Sequence, residues 1–251
     1  MAGHSKFKNI MFRKGAQDKK RAKLFAKLGR EIQIATKSGG EDPSSNHRLR
    51  TAIDAAKAAN LPKDNIERAI KKGTENEANN LEEIKYEGFG PGGVAIIVET
   101  MTDNKNRTIS EIRQIFSKNG GSIAENGSVS HSFKRKGEII YKADKNLESK
   151  LFDLAVEAGA DDIINEDDSY ILYCEVDKII EIKNKIKDLN IDPLSISLTW
   201  ISSNRIVIDN KDDGKKIFSL INQLEDNDDV QNISSNYDIS KELFDTIDFN
   251  N

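Results

Sequence analysis

Residues 137–196 read GEIIYKADKNLESKLFDLAVEAGADDIINEDDSYILYCEVDKIIEIKNKIKDLNIDPLSI, and their apolar spacing switches between two periods. Glu138 to Lys142 is a strand-like run, and Leu147 to Ala158 repeats at helical spacing. Asp161 to Asn165 and Ser169 to Val176 return to strand character. A helix over Asp177 to Leu189 and a strand from Leu194 onward complete the series. The order β-α-β-β-α-β is that of a ferredoxin-like sandwich, an antiparallel sheet with two helices on one face.

Outward from this core, the flanks each supply only half of such a unit. Val94 to Met101, Thr108 to Lys118 (closed by Gly120-Gly121) and Ser128 to Lys134 give one β-α-β. Ser197 to Ile208, Asp213 to Leu224 and Val230 to Tyr237 give the other. The spacing therefore predicts one α/β domain, 81–136 with 197–240, interrupted by a second at 137–196 and trailed by 241–251. Two contiguous domains are the alternative arrangement.

The first 75 residues follow a different pattern. A helix from about Gln17 to Lys37 carries Leu24, Phe25, Leu28, Ile32 and Ala35 as one stripe, with Lys23, Lys27 and Arg30 opposite. Ile34 breaks that pattern. Ser38-Gly39-Gly40 ends the helix, and a second follows near Asn46 to Ala59 with Leu49, Ala52, Ile53 and Ala56 inward. A third starts after Leu61-Pro62, with Ile66, Ala69 and Ile70 inward and Gly73 as its stop. Gly73 to Leu81 reads as a polar linker. The fold class is α+β: an N-terminal three-helix bundle followed by two ferredoxin-like α/β domains, one inserted in the other.

Charge divides along the same boundary. Residues 1–73 hold 18 Lys and Arg against 7 Asp and Glu, a net +11, whereas residues 74–251 hold 20 against 35, a net −15. Met1 to Arg30 has ten basic residues and only Asp18 opposing them. Clustered positive charge in a globular chain points to a polyanion, above all a phosphate backbone. A solvated helix face accounts for mixed Lys/Glu surfaces but not for thirty residues nearly free of acids. A mitochondrial transit peptide is basic too, but this segment is Lys-rich, almost Ser-free and runs straight into a helical domain.

The single cysteine, Cys174, rules out an internal disulfide framework and shares a strand face with Leu172 and Val176. No apolar run approaches a membrane span, and the start has no signal-peptide core. These features predict a cytoplasmic protein. His4, His47 and His131 lack metal-ligand spacing, and no nucleophile stands beside a base, so neither metal, cofactor, small-molecule substrate nor enzymatic activity is expected. Gly88-Phe-Gly-Pro-Gly-Gly93 lacks the phosphate-loop lysine and precedes a strand, which makes it a turn.

Candidate nucleic-acid residues lie in three places. Gly3, His4, Ser5, Lys6 and Phe7 combine donors, a cation and an aromatic ring suited to RNA, with Lys8, Arg13 and Lys14 following. Phe7 as a simple anchor on the bundle fits equally well. Lys19, Lys20, Arg21, Lys23 and Lys27, with Arg48 and Arg50, lie on the bundle, several at helix beginnings where amides add positive potential. The bundle has no outward row of Asn, Gln and Arg, which favours phosphate positioning over base readout. Lys105 and Arg107 form a secondary phosphate candidate at a helix entrance, where Thr108 and Glu111 match a capping box.

Several stretches together resemble the YebC family, which includes the mitochondrial translational activator of cytochrome c oxidase. They are Met1-Ala-Gly-His-Ser-Lys6, Arg48-Leu-Arg50, Lys57-Ala-Ala-Asn60, Leu61 to Ile70 and Tyr86 to Val94. Thr102 to Thr108, Phe116 to Gly121 and Asp229-Val-Gln-Asn232 extend the match over the chain. The resemblance implies three domains and a DNA-binding transcriptional regulator, the family's common description. It also implies a link to the ribosome, where members assist translation through proline-rich stretches. Phe7 stands where the family has tryptophan, and His47 where proline is usual, which alters entry to the second helix.

The reading that results is a non-enzymatic nucleic-acid-binding regulator of gene expression. A ribosome-associated translation factor contacting ribosomal RNA is favoured over a transcriptional regulator on promoter DNA. A ligand-sensing or protein-interaction module is the reading from another class, and it predicts that removing residues 1–73 leaves the main activity intact.

Overall fold

The computed structural model describes residues 17–75, 81–166, 168–240, 243, 246 and 247, with side chains from Arg21 onward. The described chain forms two compact units. One contains Leu81–Lys134 and the chain from Trp200 onward; the other contains the helices within 17–75 and Arg135–Thr199.

The helical part has three helices, α1 (Gln17–Gly39), α2 (His47–Ala58) and α3 (Lys63–Thr74). Asn46 caps α2: its Oδ1 accepts the Leu49 N–H at 3.0 Å while its Nδ2 donates to the Ala35 and Gly40 carbonyls, each at 2.8 Å. One side chain thus ties the end of α1 to the start of α2. His47 occupies the first helical position, whose N–H has no intrahelical partner. Leu49, Ala52, Ile53 and Ala56 are the buried face of α2, as their spacing predicts. They pack with Ile32, Ala35, Leu61, Ile66 and Ala69.

Two sequence expectations fail here. Gly73 does not stop α3, which runs on to Thr74. A Cβ at Gly73 would lie 2.6 Å from the Thr36 Cβ and 2.7 Å from the Gln33 carbonyl, so the glycine is where α3 crosses α1 at close range. Ile34 is buried rather than a surface defect. With Ala35 and Thr36 it makes three consecutive buried residues, so α1 is covered on more than one side near its end.

In the same unit, β4 (Phe133–Lys142), α5 (Glu148–Glu157), β5 (Ala160–Glu166), β6 (Ser169–Cys174), α6 (Ile179–Ile186) and β7 (Ser195–Ser202) follow the expected order. The sheet runs β5-β6-β4-β7, with both hairpin and central pairs antiparallel, which is the ferredoxin-like arrangement. Its core holds Ile139, Tyr141, Leu172, Cys174, Ile179 and Ile182, with Ala55 of α2 packed against it. Asp54 of α2 also bridges Lys183 of α6 at 2.8 Å. Cys174 is fully buried, and burial pushes its thiol up to about 12.

The other unit has the sheet order β3-β1-β2-β9, from β1 (Glu82–Phe89), β2 (Ala95–Thr102), β3 (Ser122–Ala124) and β9 (Val230–Ser235). Helices α4 (Lys105–Lys118) and α7 (Lys211–Asp226) cover one face through Ile96, Val98, Ile112, Phe116, Ile217 and Ile221. A separate parallel pair joins β8 (Ile206–Ile208) to β10 (Tyr237–Ile239). The Gly88 to Gly93 motif begins as the last two residues of β1 and turns at Gly90–Gly93 toward β2, with Gly92 and Gly93 at φ 70° and 78°.

Here the sequence reading needs correction. It assigned no strand at Glu82–Phe89, although β1 lies inside the sheet. Ser128 to Lys134 is not a strand. Its first part is held by Glu87, whose buried carboxylate accepts the N–H groups of Val129 at 2.7 Å and Ser130 at 2.9 Å, and the strand begins only at Phe133. Ser197 to Ile208 is two strands rather than one, because β7 completes the β5-β6-β4-β7 sheet and β8 pairs elsewhere.

Candidate nucleic-acid interface

Gly3, His4, Ser5, Lys6, Phe7, Lys8, Arg13 and Lys14 lie outside the described residues. Lys19 and Lys20 fall in the opening turn of α1. Arg21 is exposed, its guanidinium carbon 5.2 Å from the centroid of the Phe25 ring one turn later. Phe25 and Leu28 pack on the bundle core, so the opposite side of α1 carries Lys23, Lys27 and Arg30. These three are half-buried. Of the two acids in α1, Asp18 and Glu31, the second is taken up by the bundle itself.

Glu31 is engaged by Arg48, through Nε at 2.8 Å and Nη2 at 3.2 Å. This two-point contact staples α2 to α1. Arg50 turns back as well: its Nε donates to the Pro43 carbonyl at 3.0 Å and its Nη2 to that of Ser44 at 2.9 Å. Both guanidinium groups lie at the start of α2, as the sequence suggested. Part of the donor edge of each guanidinium is thus engaged in shaping the bundle. On α3, exposed cations alternate with acids in the i,i+4 pairs Lys63–Glu67 and Lys71–Glu75, which is an ordinary solvated face.

The secondary candidate divides in the same way. The first helical residue of α4 is Lys105, and its cap is Asn104, whose Oδ1 accepts the Arg107 N–H at 3.1 Å. The expected Thr108–Glu111 capping box is absent, because the helix begins three residues earlier and buries Thr108 in its first turn. Thr108 donates to Asp229 Oδ2 at 2.7 Å, Thr102 does so at 3.1 Å, and Arg107 Nη2 at 2.9 Å. Burial disfavours the charge on Asp229, but the bonds from Arg107, Thr108 and Thr102 prevail and hold its carboxyl below the ordinary range. Arg107 also reaches Asp103 at 2.9 Å. Two of the recurrent motifs, 102–108 and 229–232, therefore meet in one polar knot with a structural role. Lys105 remains exposed beside it.

The sequence reading nominated the entrance of α4 and passed over its outer side. The signal was present: Asn106, Ser110, Arg113, Gln114 and Ser117 recur at helical spacing. Among the described residues no three His, Cys, Asp or Glu side chains are grouped to hold a metal. No helix among them is long and apolar enough to cross a membrane.

The architecture defines a class of protein in which a small helical domain is joined to two antiparallel α/β sheets. The chain belongs to the TACO1/YebC family. Residues 5–76 match that family's N-terminal domain, and residues 81–237 match its second and third domains. It is similar to the probable transcriptional regulatory protein ZMO0153 of Zymomonas mobilis, 47% identical over 247 residues, covering 98% of this chain and 99% of that one. Among solved structures it resembles the conserved hypothetical protein Aq1575 of Aquifex aeolicus. That match has a TM-score of 0.83 and 43% identity, covering 89% of this chain and 93% of that one.

Proposed function

We propose that this chain is a non-enzymatic, cytoplasmic regulator of gene expression that acts by binding nucleic acid. The carrying observation is the segregation of charge, net +11 before residue 74 and net −15 after it, with the basic side of α1 opposite its packed stripe. The bundle grips phosphates through Lys19, Lys20, Arg21, Lys23 and Lys27. The acidic α/β units set orientation or bind protein. The name of the Zymomonas relative supports a transcriptional role and, with it, promoter DNA.

A second reading, a ribosome-bound translation factor, draws on a specific feature. The arm Gly3 to Phe7 carries stacking and donor chemistry suited to single-stranded RNA. The two readings separate in one experiment, co-sedimentation of the full chain with ribosomes on a gradient alongside a promoter-DNA binding assay. Wild type at the top of the gradient with tight DNA binding supports the DNA reading. Wild type travelling with ribosomes supports the translation reading. Changing Lys19, Lys20, Arg21 and Lys23 to Glu should abolish whichever binding is observed, and binding that survives removes this face of α1 from the interface.

A further inference from the structure

The outer face of α4 is a row of hydrogen-bonding side chains. Asn106, Ser110, Arg113, Gln114 and Ser117 are all exposed. At about 100° per residue they share an arc of about 100°, on the side away from buried Thr108, Ile112 and Phe116. The arc holds no carboxylate and no hydrocarbon side chain, although it belongs to the part of the chain with 35 acids against 20 bases. The nearby acids are withdrawn from it. Glu111 accepts the Asn227 amide at 2.6 Å, and Asp103 is bonded by Arg107. None of the ion pairs among the described residues involves Arg113, and Lys105 and Lys118 stand exposed at the two ends of the helix.

These side-chain types match the chemistry of base edges. Arginine pairs in two-point fashion with guanine, glutamine and asparagine with adenine, and serine with either. Three to four turns of helix, about 21 Å long, fit a B-form major groove. A reading helix must also be held rigidly, because small displacements lose hydrogen-bond geometry. The knot of Asp229, Arg107, Thr108 and Thr102 fixes one end of α4, and the Glu111–Asn227 bond ties its middle to the end of α7.

We propose that α4 is a base-reading helix that enters the major groove of duplex DNA, with Arg113 and Gln114 as its principal contacts. This inference rests on the reading of the chain as a nucleic-acid-binding regulator and specifies duplex DNA as the partner. A-form RNA closes its deep, narrow major groove to such a helix. Affinity then comes from phosphates on the basic bundle and sequence preference from α4.

The test is selection of DNA duplexes from a random-sequence library by the full-length protein, followed by affinity measurements on the selected and a scrambled duplex. The expected result is a defined consensus. Gln114→Ala and Arg113→Ala should each reduce the preference for it by roughly 10-fold. Both variants should keep the wild-type circular dichroism spectrum and unfolding midpoint, which a misfolded variant would not. Binding without any consensus, or a preference that survives both substitutions, overturns the assignment of α4 while leaving the phosphate-binding reading in place. Enrichment of RNA alone overturns it too, and failure of the wild type to bind any duplex overturns it together with the DNA reading.

Discussion

Replacing Glu87 with Gln should weaken the β1–β2 unit selectively above acidic pH. The Glu87 side chain is fully buried, and one of its oxygens accepts two backbone N–H groups from the 127–133 segment. Lys85 Nζ stands 3.0 Å from the other oxygen and 5.1 Å from the centroid of the Trp200 ring. Burial by itself raises the carboxyl pKa, but the bonds from Ser130 and Val129 outweigh it and bring the group down from 4.5 to about 2. A drop of that size corresponds to about 3 kcal/mol favouring the charged, folded form. The folded pKa is the depressed one, so this stability is complete above about pH 5 and is lost as pH falls from 4.5 toward 2. The assay is urea unfolding followed by the fluorescence of Trp200, the chain's single tryptophan, which reports on this unit locally. Glu87→Gln should cost about 2 kcal/mol or more at pH 7 and flatten the pH dependence between pH 5 and 3. A variant with the wild-type slope over that range would refute the argument.

Other perturbations follow from the same contacts. Gly73→Ala drives a methyl into Thr36 and the Gln33 backbone and should destabilise the bundle by about 1–3 kcal/mol, read as earlier loss of helical circular dichroism. Arg48→Ala should cost about 1 kcal/mol or less, since both partners are about a third exposed, and should leave nucleic-acid affinity within about two-fold. A large affinity loss would return Arg48 to the interface. Cys174 should resist a thiol reagent at pH 8 until denaturant is added, because burial keeps it protonated. Asp229→Asn should loosen the start of α4, visible as faster amide exchange at Arg107 and Thr108, with little change around α2.

Where side-chain spacing was uncomplicated, the sequence revealed the fold. The buried face of α2 and the order of the six elements from β4 to β7 were both readable from apolar periodicity. β1 was not, because EEIKYEGF places a buried carboxylate and a lysine among its apolar residues. Periodicity cannot reveal that Glu87 faces inward to hold a distant loop, since its partners lie more than forty residues away. The same limit applies to Gly73, read as a stop when it is a crossing point, and to Thr108, whose role depends on Asp229. The candidate interface was legible as charge but not as geometry. Net charge identified the bundle, yet it could not show that Arg48 is bonded to Glu31 and Arg50 to loop carbonyls. Conversely, a neutral, hydrogen-bonding face such as that of α4 leaves no trace in a charge count.

The central claim is that the basic side of α1 holds phosphates. It is tested most directly by measuring the affinity of the full chain for a random-sequence DNA duplex across a salt series, for wild type and for Lys23→Glu, Lys27→Glu and Arg30→Glu together. The account predicts a steep wild-type dependence of log affinity on log salt, reduced by about one unit for each contact removed. A triple variant with unchanged affinity and slope would contradict it.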